Sequence, residues 1–197
     1  MPPLTRRACL GSSSLLLFPL LAHARTPGST DVAESLEQIL DAAAALRSLQ
    51  ANWASYAVID DEGRAGNIDA ARKILGGVAP QRGEAAVEVA KVTPLYRVDG
   101  AFAAVRNAAL AAPDESWGGR LDVEAFVESG EQIAFALQKA DNLFYGVVFA
   151  SKGSGQLSKL YDEAKASVDG AVDKFAVVLR LLSDAGAPLA GGAARSE

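Results

Sequence analysis

The chain has 197 residues, half of them hydrophobic, 22% charged and 7% aromatic, with a formal net charge of −5 and one each of His, Cys and Met. That length suits one domain with a single core. Met1, Cys9 and His23 all fall within the first 24 residues, so a chain processed after Ala24 would have no means of disulfide formation, His or Cys metal binding, or Ser-His and Cys-His catalysis.

The first element is an export signal. Arg6-Arg7 is followed by an apolar run from Leu15 to Leu21 and then by Ala22-His23-Ala24, the positive, apolar, small-residue order of a secretory signal. The run is far shorter than the roughly 20 residues that span a bilayer, and Pro19 interrupts it. Paired arginines with Cys9-Leu10 shortly after them fit the twin-arginine type of signal, which exports folded proteins. The expected division is a cleavable signal over 1–24, one helical domain over 25–188 and a disordered tail over 189–197. Cleavage removes Arg6 and Arg7 and no acid, which takes the net charge from −5 to −7. An acidic surface without Lys and Arg clusters argues against a nucleic-acid partner.

Helical periodicity follows. Leu36, Ile39, Ala43, Leu46, Leu49, Trp53 and Tyr56 advance in steps of three and four, which predicts one helix from Thr30 to Ala57 with Thr30 or Asp31 as its cap. After the polar loop Asp60–Asn67 the sequence predicts a short helix, Ile68–Leu75, capped by Asn67 and stopped at Gly76-Gly77. Residues 83–112 read as a helix kinked or split at Pro94, with Leu95, Val98, Phe102, Val105 and Ala109 on its inner face. Pro113 and the turn Trp117-Gly118-Gly119 end it.

Phe126, Gly130, Ile133, Leu137, Ala140, Phe144 and Val147 alternate steps of four and three, the 3.5-residue seam of a left-handed bundle. A last helix, about Gln156 to Ala185, carries Leu157, Leu160, Ala164, Val168, Ala171, Phe175, Val178 and Leu182, with Gly186 and Pro188 as its stop. The expected fold is therefore all-α, an up-down four-helix bundle with a kinked second helix and a short extra one.

No pattern for chemistry stands out. Asp60-Asp61-Glu62 lacks the spacing of a calcium loop, and Gly153-Ser154-Gly155 follows a helix rather than the strand a phosphate loop needs. Glu84/Glu88 and Glu124/Glu128 share helix faces but fall away from the seam, as solvated acids do. Neither Ser-x-x-Lys nor Gly-x-Ser-x-Gly occurs. We therefore expect a non-enzyme without cofactor or metal. Trp53 continues the first apolar stripe, whereas Trp117 in its Gly-rich loop caps the bundle or anchors a partner. Phe135, Tyr145 and Phe149 exceed the seam of the third long helix, which is expected to be buried on two faces; the other reading is an apolar patch for a protein partner.

Two short segments carry a resemblance: Asn52-Trp53 with Tyr56, and Asn67-Ile68-Asp69-Ala70-Ala71-Arg72-Lys73-Ile74-Leu75-Gly76. With the Arg-Arg signal and the acidic helical chain, they resemble the thylakoid-lumen accessory proteins of photosystem II, the extrinsic Q-type subunit and the lumenal proteins that maintain photosystem II under high light. The resemblance implies a non-catalytic helical protein of the chloroplast thylakoid lumen, at most peripheral to the membrane. Its partners would be the photosystem II core or lumenal extrinsic proteins, with Trp117, Tyr145 and Phe149 as docking residues. Lumenal proteins encoded in the nucleus carry a transit segment ahead of such a signal, and only five residues precede Arg6. The alternative expectation is a bacterial periplasmic bundle that binds a small molecule or cofactor.

Overall fold

The structure is a computed structural model that describes residues 30–78, 83–151 and 155–189. The expected export signal, residues 190–197 of the expected tail and residues 152–154 lie outside the described residues. Among those described there are eight helices and no strand, only an isolated bridge between Ile59 and Ala65. The fold is all-α.

Helix α1 (Val32–Ala51) begins where Asp31 accepts a hydrogen bond from the Glu34 N–H at 2.9 Å. It stops short of the expected end, because the Asn52 side chain bonds back to the Ser48 carbonyl at 2.8 Å and competes with the helix ladder. The one-turn helix α2 (Trp53–Tyr56) then resumes, so the expected single helix is broken at Asn52. Helix α3 (Ile68–Ile74) is capped by Asn67, whose side chain accepts from the Asp69 N–H. Gly76 closes it at φ +83°, a left-handed conformation for which glycine is suited.

Pro94 splits the next helix, as its missing N–H and ring demand. Helix α4 is Gly83–Val92 and α5 is Val98–Leu110, and the chain passes between them through Arg97 at φ 56°. Gln38 of α1 pins this break by donating to the Pro94 and Tyr96 carbonyls, at 2.9 and 3.1 Å. The Trp117 turn winds into the one-turn helix α6 (Trp117–Arg120). Helix α7 (Val123–Val147) starts at Asp122 and α8 (Gln156–Ala185) ends at Gly186, φ +76°.

The four long helices pack around one core in the contact order α1, α5, α7, α8 and back to α1, with the α7–α8 contact the most extensive. Helices α7 and α8 run antiparallel: Arg120, just before α7, donates to the Ala185 carbonyl at the end of α8, while Phe144 near the end of α7 meets Tyr161 near the start of α8. All seven residues of the predicted α7 seam are buried. Phe102 packs against Phe126 and Phe175 with ring centroids 5.4 and 6.1 Å apart, and fully burying each such ring contributes about 1.5–3 kcal/mol.

On α8 the inner position is Tyr161 rather than Leu160, which is only half-buried. The Tyr161 hydroxyl donates to the Val58 carbonyl at 3.3 Å, which gives the buried ring a polar partner. Burial raises its pKa above the ordinary tyrosine value. No helix among the described residues is long and apolar enough to cross a membrane.

Candidate functional site

The segment 52–77 is laid against α7 at one end of the helical core, and its anchor is Arg72. The Arg72 guanidinium donates two hydrogen bonds to the Asp141 carboxylate, from Nε at 2.8 Å and from Nη2 at 3.2 Å. This forked pairing matches the planar geometry of both groups. The two side chains keep only 15% and 19% of their exposure. Hydrogen bonding to Asp141 raises the Arg72 pKa still further above its ordinary value, against the lowering effect of burial. The same guanidinium carbon lies 5.0 Å from the centroid of the Tyr145 ring, a cation–π contact.

The motif residues converge on this anchor through local structure. Asn52 ends α1, Trp53 packs on Phe144 with centroids 5.4 Å apart, and Tyr56 is half-buried against the core. Asn67 caps α3 at Asp69, Leu75 is buried, and the Gly76 turn lies so close to Tyr96 that an added Cβ would sit 3.0 Å from its Cα. At the next residue, a Cβ on Gly77 would run into the Asp141 carboxylate. The two motifs thus describe a clamp that holds the segment 52–77 on α7.

The three residues expected to dock a partner do not form one patch. Trp117 is half-buried against the core at the end where α8 finishes. Tyr145 and Phe149 lie at the other end of α7, a 25-residue helix about 37 Å long. The expectation of a second buried face on α7 is corrected: Phe135 and Phe149 are 70% exposed and Tyr145 51%. These positions point away from the seam, and Tyr145 is covered in part by the Arg72 guanidinium of α3.

Tyr145 and Phe149 meet edge to face at 5.2 Å. At the same end Val148, Val58 and Ile59 are also exposed. The last two belong to a tight turn that Asp60 organises by accepting from the Glu62 N–H, the Arg64 N–H and Arg64 Nε at 2.8–3.0 Å. Those bonds, the Arg64 backbone first, lower the Asp60 pKa. Turn and α7 together enclose a hollow of about 280 Å³, lined by Ala65, Ile68, Val147, Val148 and Leu157 among others. The sequence reading did not find Asp141, Val58 or Ile59 for this site, since only a contact 69 residues apart makes Asp141 special.

A second hollow of about 470 Å³ opens between α3, the start of α5 and α7, with Gly76, Gly77, Arg97, Gln138 and Asp141 on its walls. Among the described residues no group of three or more His, Cys, Asp or Glu side chains is placed to hold a metal ion. Glu124 and Glu128 are exposed, and Glu128 accepts a hydrogen bond from Gln132. No protein-family model matches the chain, and no characterised protein or solved structure matches it either.

Proposed function

We propose that this chain is a non-catalytic accessory protein of the thylakoid lumen that docks on photosystem II and supports its assembly, repair or maintenance. The observation that carries the docking role is the exposed apolar set Tyr145, Val148, Phe149, Val58 and Ile59 at one end of the molecule, with Tyr145 braced by the Arg72 guanidinium of the Arg72–Asp141 pair. Side chains of this kind, held rigid and exposed together, are the usual anchors of a protein interface. The photosystem itself comes from the resemblance of the Asn52–Tyr56 and Asn67–Gly76 segments.

The test is to follow the protein through thylakoid fractionation, in normal and high light, beside a Phe149→Asp variant. Wild type should co-migrate with photosystem II complexes on native gels and the variant should not. A wild-type protein that never co-migrates, under either light regime, sinks the proposal. A second reading, a periplasmic bundle that binds a small molecule, draws on the 470 Å³ hollow, a size within the range of small-ligand sites. A ligand that co-purifies and is displaced by Gln138→Trp would favour it.

A further inference from the structure

We infer that the 280 Å³ hollow between the 58–66 turn and the end of α7 receives one large apolar side chain of the docking partner, from a segment in which that residue is flanked by Lys or Arg. This rests on the docking reading and names what the docking end recognises. The size of the hollow is the first argument. At about 280 Å³ it falls just under the range of roughly 300–1,000 Å³ typical of small-molecule sites and has room for one large side chain. Its lining is the second: Ala65, Ile68, Val147, Val148, Ala150 and Leu157 offer aliphatic walls, completed on the turn side by Gly63, Arg64 and Gly66. Exposed Val58, Ile59, Tyr145 and Phe149 lie at the same end of the molecule, the arrangement in which a buried anchor is shielded from water by neighbouring contacts.

Charge decides the class of partner. The turn lines the hollow through Gly63, Arg64, Ala65 and Gly66; Arg64 is already shared by Asp60 at 2.8 Å and Glu62 at 2.9 Å, and with Asp61 the acids beside the lining outnumber it three to one. Its Nε and Nη1 are thereby turned toward the acids, and the turn keeps a net negative charge beside an apolar opening. An anionic bilayer is repelled by that rim. A basic-flanked apolar residue satisfies both features at once, with the cations steering approach and the apolar group supplying burial.

The experiment uses the full chain and three synthetic twelve-residue peptides: one Phe flanked by two Lys on each side, the same Phe flanked by Glu, and Ala flanked by Lys. Binding is measured by calorimetry at low and physiological salt, with chemical shifts of Ala65 and Val148 as the site-specific readout. The Lys-flanked Phe peptide should bind at least tenfold more tightly than the other two, weaken with salt, and shift both residues. Ala150→Phe, which fills the hollow, should abolish that binding. Asp61→Lys/Glu62→Lys, on exposed positions that leave the core alone, should reverse the preference toward the Glu-flanked peptide. Circular dichroism verifies that both variants fold.

No binding by any peptide overturns the inference, as does binding that Ala150→Phe leaves unchanged. Adsorption of the protein to phosphatidylcholine vesicles that is lost in Phe149→Asp but indifferent to Ala150→Phe also overturns it, in favour of a membrane. These outcomes are separable from the docking reading: photosystem association lost in Phe149→Asp but kept in Ala150→Phe leaves the docking end standing and removes only the hollow.

Discussion

Arg72 and Asp141 face each other across two hydrogen bonds, 69 residues apart in sequence, and through them α3 is fastened to α7 directly beneath the exposed Tyr145 ring. One ion pair therefore serves both the fold and the surface that the docking proposal uses.

Replacing Arg72 by Ala leaves a largely buried carboxylate without its partner, and the cost is about 1–3 kcal/mol. Denaturant melts of Arg72→Ala, Asp141→Ala and the double variant check this. The double variant should lose less than the sum of the singles, because each single strands the other group. Arg72→Lys should recover little, since an ammonium cannot make the forked contact.

Gly77→Ala tests the same joint from the backbone. The added Cβ meets the Asp141 carboxylate and must displace it from Arg72. A thermal melt should show destabilisation of the same order as Asp141→Ala, and the two substitutions combined should add little.

Gly130→Ala tests the centre of the core, where a Cβ would lie 3.0 Å from Phe102 Cδ1 and 3.2 Å from its Cγ. The ring is hemmed in by Phe126 and Phe175, so it has little room to yield. Overpacking of this kind costs about 1–3 kcal/mol, read as a lower denaturation midpoint at unchanged slope.

Adjacent residues of α7 should behave in opposite ways. Phe144→Ala opens a void in the core and costs about 3–5 kcal/mol, whereas Phe149→Ala should shift stability by no more than about 0.5 kcal/mol and Tyr145→Ala, which forfeits the Arg72 contact, by about 0.5–1 kcal/mol. Phe144 is fully buried while its neighbour Tyr145 is half exposed. Melts of the three variants, run beside the photosystem co-migration assay, separate folding from docking.

Acid should weaken the α1–α8 contact through Asp169. Burial pushes its carboxyl pKa up, but hydrogen bonds from Lys165 at 2.7 Å and Gln50 at 2.8 Å outweigh this and hold it below the ordinary value. A depressed pKa stabilises the fold above the unfolded-state value and loses that contribution as pH falls through the folded one. The pair is more than a third exposed, so solvent screening keeps the contribution below about 1 kcal/mol. Wild type should lose slightly more stability than Asp169→Asn as pH falls below the usual aspartate range, measured by urea melts across that window.

The sequence by itself determined the long helices, their stops other than that of α1, and the inner face of α7. Phe126 to Val147 could be read because a buried stripe must repeat with the period of the helix, and Asn67, Pro94 and Gly186 because caps and breaks are local chemistry acting within a few residues. Whether Phe135, Tyr145 and Phe149 had a second wall to pack against was decided only by the tertiary structure, since an apolar side chain on an outer face reads the same with a neighbour or without one. The choice of Tyr161 over Leu160 belongs there too, set by where the Val58 carbonyl lies; the break at Asn52 is local, a side-chain bond to Ser48 four residues back that the helical period alone does not show. The Arg72–Asp141 clamp was beyond periodicity altogether: each residue alone is an ordinary charge on a helix, and only the folding of α3 onto α7 brings them within hydrogen-bond distance.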